Sequence, residues 1–473
     1  MNFYFEAAKT LDRLDAKQGS IKGILATLPE KDRARTAALV IETLKYKDVL
    51  TNVIDTAKLL KEEKKKITSL NLALVLVHDV LLSKGIQAAD GPIKQAILRH
   101  KTRLHGEFQK IKIKRGAKSN GELAHTGDSR GAQIPRYVRI NTLLWTADEA
   151  IQHFVSRGFE LSGPFSSKKG FAKDDHVPHL LLFNPVMQFR DEPSYKSGKV
   201  ILQDKASCFP AVVLDPPANE DSVVIDATAA PGNKTSHLSA LMRNRGKLLA
   251  FERDRKRFST LKTMLSKAEC KNVETINADF LTVEPTDSKY ASVSHILLDP
   301  SCSGSGIVNR LDYLLESEQE DDTDQEERLT KLASFQMLMI RHAMKFPSVK
   351  KIVYSTCSIH ATENEDVVRQ ALCSNEAKAG HFILAPPGEV LPSWHRRGLP
   401  EKMENPDDAL SVVRCSPGED ATNGFFVSCF VRKTHQTSDA LLTNQQRKRD
   451  DGDELDLVVK RKRKKRKVDH KAR

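Results

Sequence analysis

The chain has 473 residues, 39% hydrophobic and 29% charged, with a formal net charge of +13. That length suggests two to four domains with enough apolar material for a packed core, and no stretch approaches the ~18 consecutive apolar residues of a membrane helix. Met1 to Gly19 lacks a signal-peptide core, and the seven cysteines include no Cys-x-x-Cys pair, which argues against a disulfide framework or zinc ribbon and for a reducing compartment. Arg447 to Arg473 holds 13 bases and 6 acids, a net of +7, more than half of the whole excess. A basic balance fits a polyanion partner, nucleic acid first, or simply a solvated surface.

Residues 1–115 predict a helical domain. Ala37, Leu39, Val40 and Leu44 recur at helical spacing, as do Val49, Val53, Ile54, Ala57 and Leu60. Leu70 to Leu82 is mostly apolar and reads as a buried helix. Lys94 to Lys114 reads as one long helix, basic along one side, lying on RNA or forming a charged outer face. Residues 116–134 are rich in Gly, Ser, Asn and Asp and predict a linker.

From Pro135 to about residue 200 the texture is that of a small α+β unit, with a strand at Tyr137 to Ile140 and a helix at Asp148 to Gly158. Residues 201–434 alternate strands and helices. Strands are expected at Val223–Asp226, Leu248–Glu252, Val273–Ile276, His295–Asp299, Lys351–Tyr354 and Phe425–Val431. Helices are expected at Thr235–Arg245, Arg255–Lys267 and Leu329–Phe346, the last with Leu329, Leu332, Phe335, Leu338 and Met339 on one stripe. This alternation predicts an α/β fold with a doubly wound, mainly parallel Rossmann-like sheet, whose ligands sit beyond the carboxyl ends of the strands. Glu316 to Glu327 has eight acids in twelve residues and predicts a disordered insertion. Lys460 to Lys467 is an unbroken run of bases, read as a nuclear import signal, an RNA-binding tail, or both.

The segment Asp226-Ala-Thr-Ala-Ala-Pro-Gly-Asn-Lys-Thr235 joins a strand to a helix. Small residues there let backbone approach a ligand at a helix N-terminus. Asn233 separates Gly232 from Lys234, so it is not a phosphate-binding P-loop, and a single Gly does not make a dinucleotide fingerprint. A nucleoside cofactor without pyrophosphate, such as S-adenosylmethionine, and a structural turn with capping acids both remain. Glu252 ends the next strand, placed for ribose hydroxyls, and Asp279 follows the third, placed for an adenine amino group.

Cys302 and Cys357 each lie just past a strand, on the same edge as this loop. A lone cysteine is usually an apolar filler. Two at strand ends suit a methyl-transfer reaction at carbon 5 of cytosine, a poor nucleophile until a thiolate adds at carbon 6. Asp299, three residues before Cys302, is placed near ring N3.

Asp226 to Thr235, Asp-Pro-Ser-Cys-Ser-Gly-Ser-Gly at 299–306 and Tyr-Ser-Thr-Cys-Ser at 354–358 resemble, in this order, the Nol/Nop/Sun family of RNA 5-cytosine methyltransferases. Arg136 to Thr142, Gln203 to Ser207, Glu363-Asn364-Glu365 and Gly424-Phe425-Phe426 resemble it too, so the likeness spans residues 135–432. It implies Cys357 as nucleophile and Cys302 as the group assisting product release. It implies that Thr228, Ala229, Ala230, Pro231, Gly232, Asn233 and Lys234 hold the methionine part of S-adenosyl-L-methionine, Glu252 the ribose and Asp279 the adenine. Arg257 would fix this pocket, and Asp299 would border both cofactor and cytosine. Arg139 and Asn141 would contact RNA. Ser301 departs from the Pro usual before the release cysteine, and Thr228 stands where some members have Cys. The Ser form and Gln18 to Gly23 resemble the fifth Sun-type subgroup. That implies a cytosine in large-subunit ribosomal RNA as target and pre-ribosomal particles as partners; the basic run Lys460 to Lys467 suits a nucleolar address reached through an import receptor, and cysteine spacing and hydropathy argue against a metal or a membrane. Two other readings stand beside it. One exchanges the cysteines' roles; the other is a non-catalytic pre-rRNA-binding assembly factor with the same fold.

Overall fold

The computed structural model describes residues 1–125, 128–308, 311–315 and 322–433, so the basic run Lys460 to Lys467 lies outside the described residues. The chain divides into two units. The first holds Met1–Ile134, Gly306–Arg328 and Pro417–Asn423; the second holds Pro135–Ser305, Leu329–Ser416 and the chain from Gly424.

In the first unit, helices Asn2–Asp15, Glu30–Lys45 and Lys47–Thr56 pack with a central helix, Leu70–Leu82, that is buried on nearly every side. Its polar residues bond within the unit, although Asn71 Oδ1 has no partner among the described residues. Asn71 Nδ2 donates to Asp12 at 2.7 Å and Asp15 at 2.8 Å, and Asp79 accepts from the Tyr4 hydroxyl at 2.6 Å. Three expectations change here. The basic segment is two helices, Pro92–Arg99 and Lys101–Lys114, broken at His100, whose ring faces Glu63. Arg99 and Arg103 are paired with Glu63 and Glu62, so this stripe is partly neutralised. The 116–134 stretch is not a free tether: Leu123 and Ile134 are buried, and Leu123 joins the helical core. Of the acidic insertion, 316–321 lie outside the described residues, while Asp322 to Glu327 open the helix Asp322–Met344. Leu314, just before it, packs into the helical core.

In the second unit, strands β1 (Arg136–Ile140), β2 (Glu160–Leu161), β3 (Gly170–Lys173), β4 (Leu180–Phe183) and β5 (Val200–Leu202) form a sheet in the order β2-β3-β4-β1-β5. The helix Ala147–Ser156 covers it, started by a reciprocal Thr146–Glu149 capping box. Phe154, fully buried, meets Phe183 at 4.9 Å and Phe159 at 5.7 Å between ring centroids. Phe154→Ala is expected to destabilise this unit by about 3–5 kcal/mol in denaturant unfolding.

The large sheet contains β6 (Val223–Asp226), β7 (Lys247–Phe251), β8 (Val273–Ile276), β9 (Val293–Leu298), β10 (Lys351–Thr356), β11 (Phe382–Leu384), β12 (Val412–Cys415) and β13 (Phe425–Arg432). Its order is β11-β13-β10-β9-β6-β7-β8, with β12 also on β13. The strands from β10 to β8 are parallel; β13 and its partners are antiparallel. Ile225, Ile296, Leu298 and Ile352 bury one face against Met339, Ile340, Ala343 and Phe346. The stripe on that helix therefore differs from the one expected: Leu338 is exposed and Gln336 is buried in its place. The chain runs outward from β6 to β7 and β8 on one side and from β9 to β10 on the other. The crevice where these directions diverge, between β6 and β9, is the position at which open parallel sheets bind ligands.

Candidate active site

The loop after β6 is shaped by its smallest residue. Gly232 has φ +113°, a left-handed conformation that side chains rarely adopt, and a Cβ there would meet Leu261 and Met264 at 3.3 Å. The helix Asn233–Leu241 begins at once, with no capping side chain on its first N–H groups. Asp226, buried below, accepts from the Thr235 hydroxyl at 2.7 Å and the Thr228 N–H at 3.3 Å. Burial pushes its carboxyl up to about 6 despite these bonds.

At the β6/β9 crevice the Asp299 N–H donates to the Thr228 hydroxyl at 3.0 Å. One Asp299 carboxylate oxygen accepts from Lys234 Nζ at 2.8 Å, the other from the Ser355 hydroxyl at 2.8 Å. Lys234 also donates to the Ser207 hydroxyl at 3.1 Å. Burial disfavours the Lys234 ammonium, but Asp299 outweighs it, with help from Cys357 and Asp226, and the group sits above the ordinary lysine value.

The ends of β9 and β10 bring Cys302 Sγ to 3.1 Å from Cys357 Sγ. Both are half-buried, and neither is in a disulfide. The hydrogen bond to Cys357 holds Cys302 well above the ordinary thiol range, reinforced by burial and by the charges of Cys357, Asp299 and Glu363. Either sulfur can be the donor in this contact, and the second proton of the pair is the harder to remove.

The outer part of the rim is acidic. Glu252, buried after β7, accepts from the Asp254 N–H at 2.8 Å and lies 3.5 Å from Arg257. Arg257 donates to the Ala230 carbonyl at 2.8 Å, tying the loop to the next strand end. Asp279, after β8, caps a short turn through the Leu281 N–H and faces Arg253 at 3.3 Å. Ala229 and Ala230 pack against Leu261 and Leu265, and the Ala230–Pro231 peptide is cis.

Two expected RNA contacts are corrected. Arg139 is 1% exposed and Asn141 is fully buried. Arg139 donates to Gln203 at 2.7 Å, Ser236 at 2.8 Å and the Asn233 carbonyl at 3.2 Å. Asn141 donates to the carbonyls of Gly198 and Ala268. Arg139 braces the small sheet against the helix Asn233–Leu241, and Asn141 braces it against the end of the helix Arg255–Lys267; neither is open to RNA. Other residues of the site were not singled out from the sequence. Ser207, Ser355, Glu363 and Asn364 fall inside the stretches quoted above without a role. Gln336 had no local signal, because only folding brings its helix beneath the 301–303 segment, where it donates to the Ser301 carbonyl at 3.1 Å.

Three family models match successive parts of the chain. The NOL1/NOP2/Sun domain family member 5 N-terminal domain matches residues 35–124, its ferredoxin-like domain residues 134–203, and the 16S rRNA methyltransferase RsmB/F family residues 211–431. The chain is 46% identical to the 25S rRNA (cytosine-C(5))-methyltransferase rcm1 of Schizosaccharomyces pombe, over 90% of this chain and 91% of that one. It is 41% identical to the 28S rRNA (cytosine-C(5))-methyltransferase of Mus musculus, over 98% and 97%. A solved methyltransferase homolog from Pyrococcus horikoshii shares the fold, with a TM-score of 0.50 at 24% identity over 68% of this chain and 98% of that one. With its methyltransferase sheet, its ferredoxin-like unit and relatives matched almost end to end, the chain belongs to the NOL1/NOP2/Sun family of methyltransferases, in the subgroup of the fifth member.

Proposed function

We propose that the protein methylates carbon 5 of a cytosine in large-subunit ribosomal RNA, using S-adenosyl-L-methionine and a transient covalent bond from Cys357. The observation that carries this reading is the sulfur pair at 3.1 Å beside the Lys234–Asp299 pair, all at the sheet's switch point. The rim fits the cofactor by its donor set. The uncapped N–H groups after Gly232 suit a carboxylate, and buried Glu252 suits a ribose diol. When bound, the cofactor supplies an electrophilic methyl group.

The chain's own residues do the rest. The flipped cytosine enters against Asp299. Cys357 sulfur, as thiolate, bonds to carbon 6. The ring electrons shift towards N3, which takes a proton from the Lys234–Asp299 pair, and carbon 5 becomes nucleophilic. Once Cys357 sulfur is bonded to carbon, its charge no longer holds the proton on Cys302. Cys302 loses that proton to water and accepts the one on methylated carbon 5. The carbon 6–sulfur bond then breaks, Cys357 leaves as thiolate, and N3 returns its proton.

The match to relatives named for 25S and 28S rRNA supports the substrate class. The run Lys460 to Lys467 supports a nucleolar address reached through an import receptor. Bisulfite sequencing of large-subunit rRNA from cells lacking the protein tests the reading. One cytosine should lose its methyl mark and regain it with the wild-type chain but not with Cys357→Ala; an unchanged pattern contradicts the function. Glu252→Gln should weaken cofactor affinity about 10–100-fold in calorimetry, as expected for losing a charge-assisted acceptor.

A further inference from the structure

Two thiols in contact pose a chemical problem that the strand ends do not solve: what makes one attack and the other wait. The turn Glu363-Asn364-Glu365 touches both cysteine segments, and all three side chains are fully buried. Asn364 grips the Cys357 loop on both sides. Its Oδ1 accepts from the Thr356 hydroxyl at 2.6 Å, and its Nδ2 donates to the Ser358 carbonyl at 3.0 Å. Glu365 holds Arg414 at 2.6 Å, and Arg414 in turn donates to the Ile359 carbonyl.

Glu363 faces the other loop. Its Oε1 accepts from the Ser303 N–H, next to Cys302, at 2.9 Å and from Gln336 Nε2 at 3.0 Å. Its backbone carbonyl accepts from the Tyr354 hydroxyl at 2.5 Å. Its Oε2 is buried and accepts from no group among the described residues, and no cation there pairs with the carboxylate. The Oε1 bond to the Ser303 N–H turns the Glu363 carboxylate towards the Cys302 loop, and negative charge there opposes ionisation of that thiol. The cation of the site, Lys234, lies instead on the side of Asp299 and Cys357.

We infer that Glu363 is the positioning residue that makes the two cysteines unequal, suppressing Cys302 as a nucleophile so that Cys357 attacks the base. The inference rests on the covalent reading above and deepens it. Its balance is simple. Attack by either thiolate forms one sulfur–carbon 6 bond and places one proton on ring N3; Glu363 biases which sulfur is ionised, not the stoichiometry. Gln at this position keeps the Oε1 acceptor for both bonds and removes only the charge.

The test is a gain of reactivity, which a damaged fold cannot produce. RNA carrying 5-azacytosine at the target traps the carbon 6 adduct, and peptide mapping identifies the cysteine. Cys357→Ala alone should give almost no adduct. Cys357→Ala with Glu363→Gln should give roughly ten-fold more, mapped to Cys302, as expected when a buried charge beside a thiol is removed. Cys357→Ala with Glu363→Asp, which keeps the charge, should show no such gain. If the Gln chain fails to melt cooperatively, Cys357→Ala with Glu363→Met, which also removes the charge, replaces it, and the same direction of change is expected. No gain in a folded double variant overturns the inference. An adduct on Cys302 in the wild-type chain overturns the reading beneath it instead, so the two failures are distinguishable.

Discussion

Cys357→Ala is expected to abolish methyl transfer, with a fall of about 10⁴-fold or more in turnover under saturating cofactor. The size follows from what is lost. Carbon 5 of cytosine has no adequate nucleophilicity until carbon 6 carries sulfur, so removing the thiol removes the step rather than slowing it. Cys302 cannot take over, because burial and the charges of Asp299 and Glu363 still hold its proton once Cys357 is gone. Cofactor affinity should be nearly unchanged, since Glu252, Asp279 and the backbone after Gly232 belong to other strand ends. Radiolabel transfer to a transcript containing the target, beside calorimetry with the cofactor, checks both parts. Methylation within ten-fold of wild type contradicts the assignment.

Cys302→Ala is expected to fail later in the same cycle. The alanine chain can still bond Cys357 to carbon 6 and accept the methyl group at carbon 5. It lacks the group 3.1 Å away that takes the carbon 5 proton and frees the product. The protein should therefore accumulate on unmodified RNA as a covalent complex that survives denaturing electrophoresis, with turnover reduced by about 10²–10⁴-fold, the range for losing a general base. Wild type should show no such band. Free release of methylated RNA by Cys302→Ala contradicts the proposed division of labour.

How far the site was legible depends on range along the chain. Val223–Asp226, Arg255–Lys267, Val273–Ile276 and Leu70–Leu82 form over the expected residues, because each is a run whose own periodicity and flanks decide it. The strands Phe382–Leu384 and Val412–Cys415 were not foreseen. They are short and gain their pairing from β13 rather than from local preference. The two cysteines and Asp299 were visible because ligands gather at the carboxyl ends of parallel strands, and the strands that they follow were legible from the alternation of elements.

Arg139 shows the opposite case. The family resemblance gave Arg139 a contact with RNA. Its actual partners, Gln203, Asn233 and Ser236, come from distant parts of the chain, and together they bury it. Glu363 is similar: its meaning lies in Ser303, Gln336 and an unpartnered oxygen, none of which its sequence neighbours announce. Charged residues inside a core are set by long-range geometry, and local pattern assigns them to the surface by default.

The mechanism turns on which sulfur meets the base. Wild-type protein should be incubated with target RNA carrying 5-azacytosine, digested, and the crosslinked peptide sequenced by mass spectrometry. The nucleotide is expected on the peptide containing Tyr354 to Ser358, attached to Cys357. Attachment to Cys302, on the peptide after β9, would reverse the roles of the two thiols and contradict the mechanism.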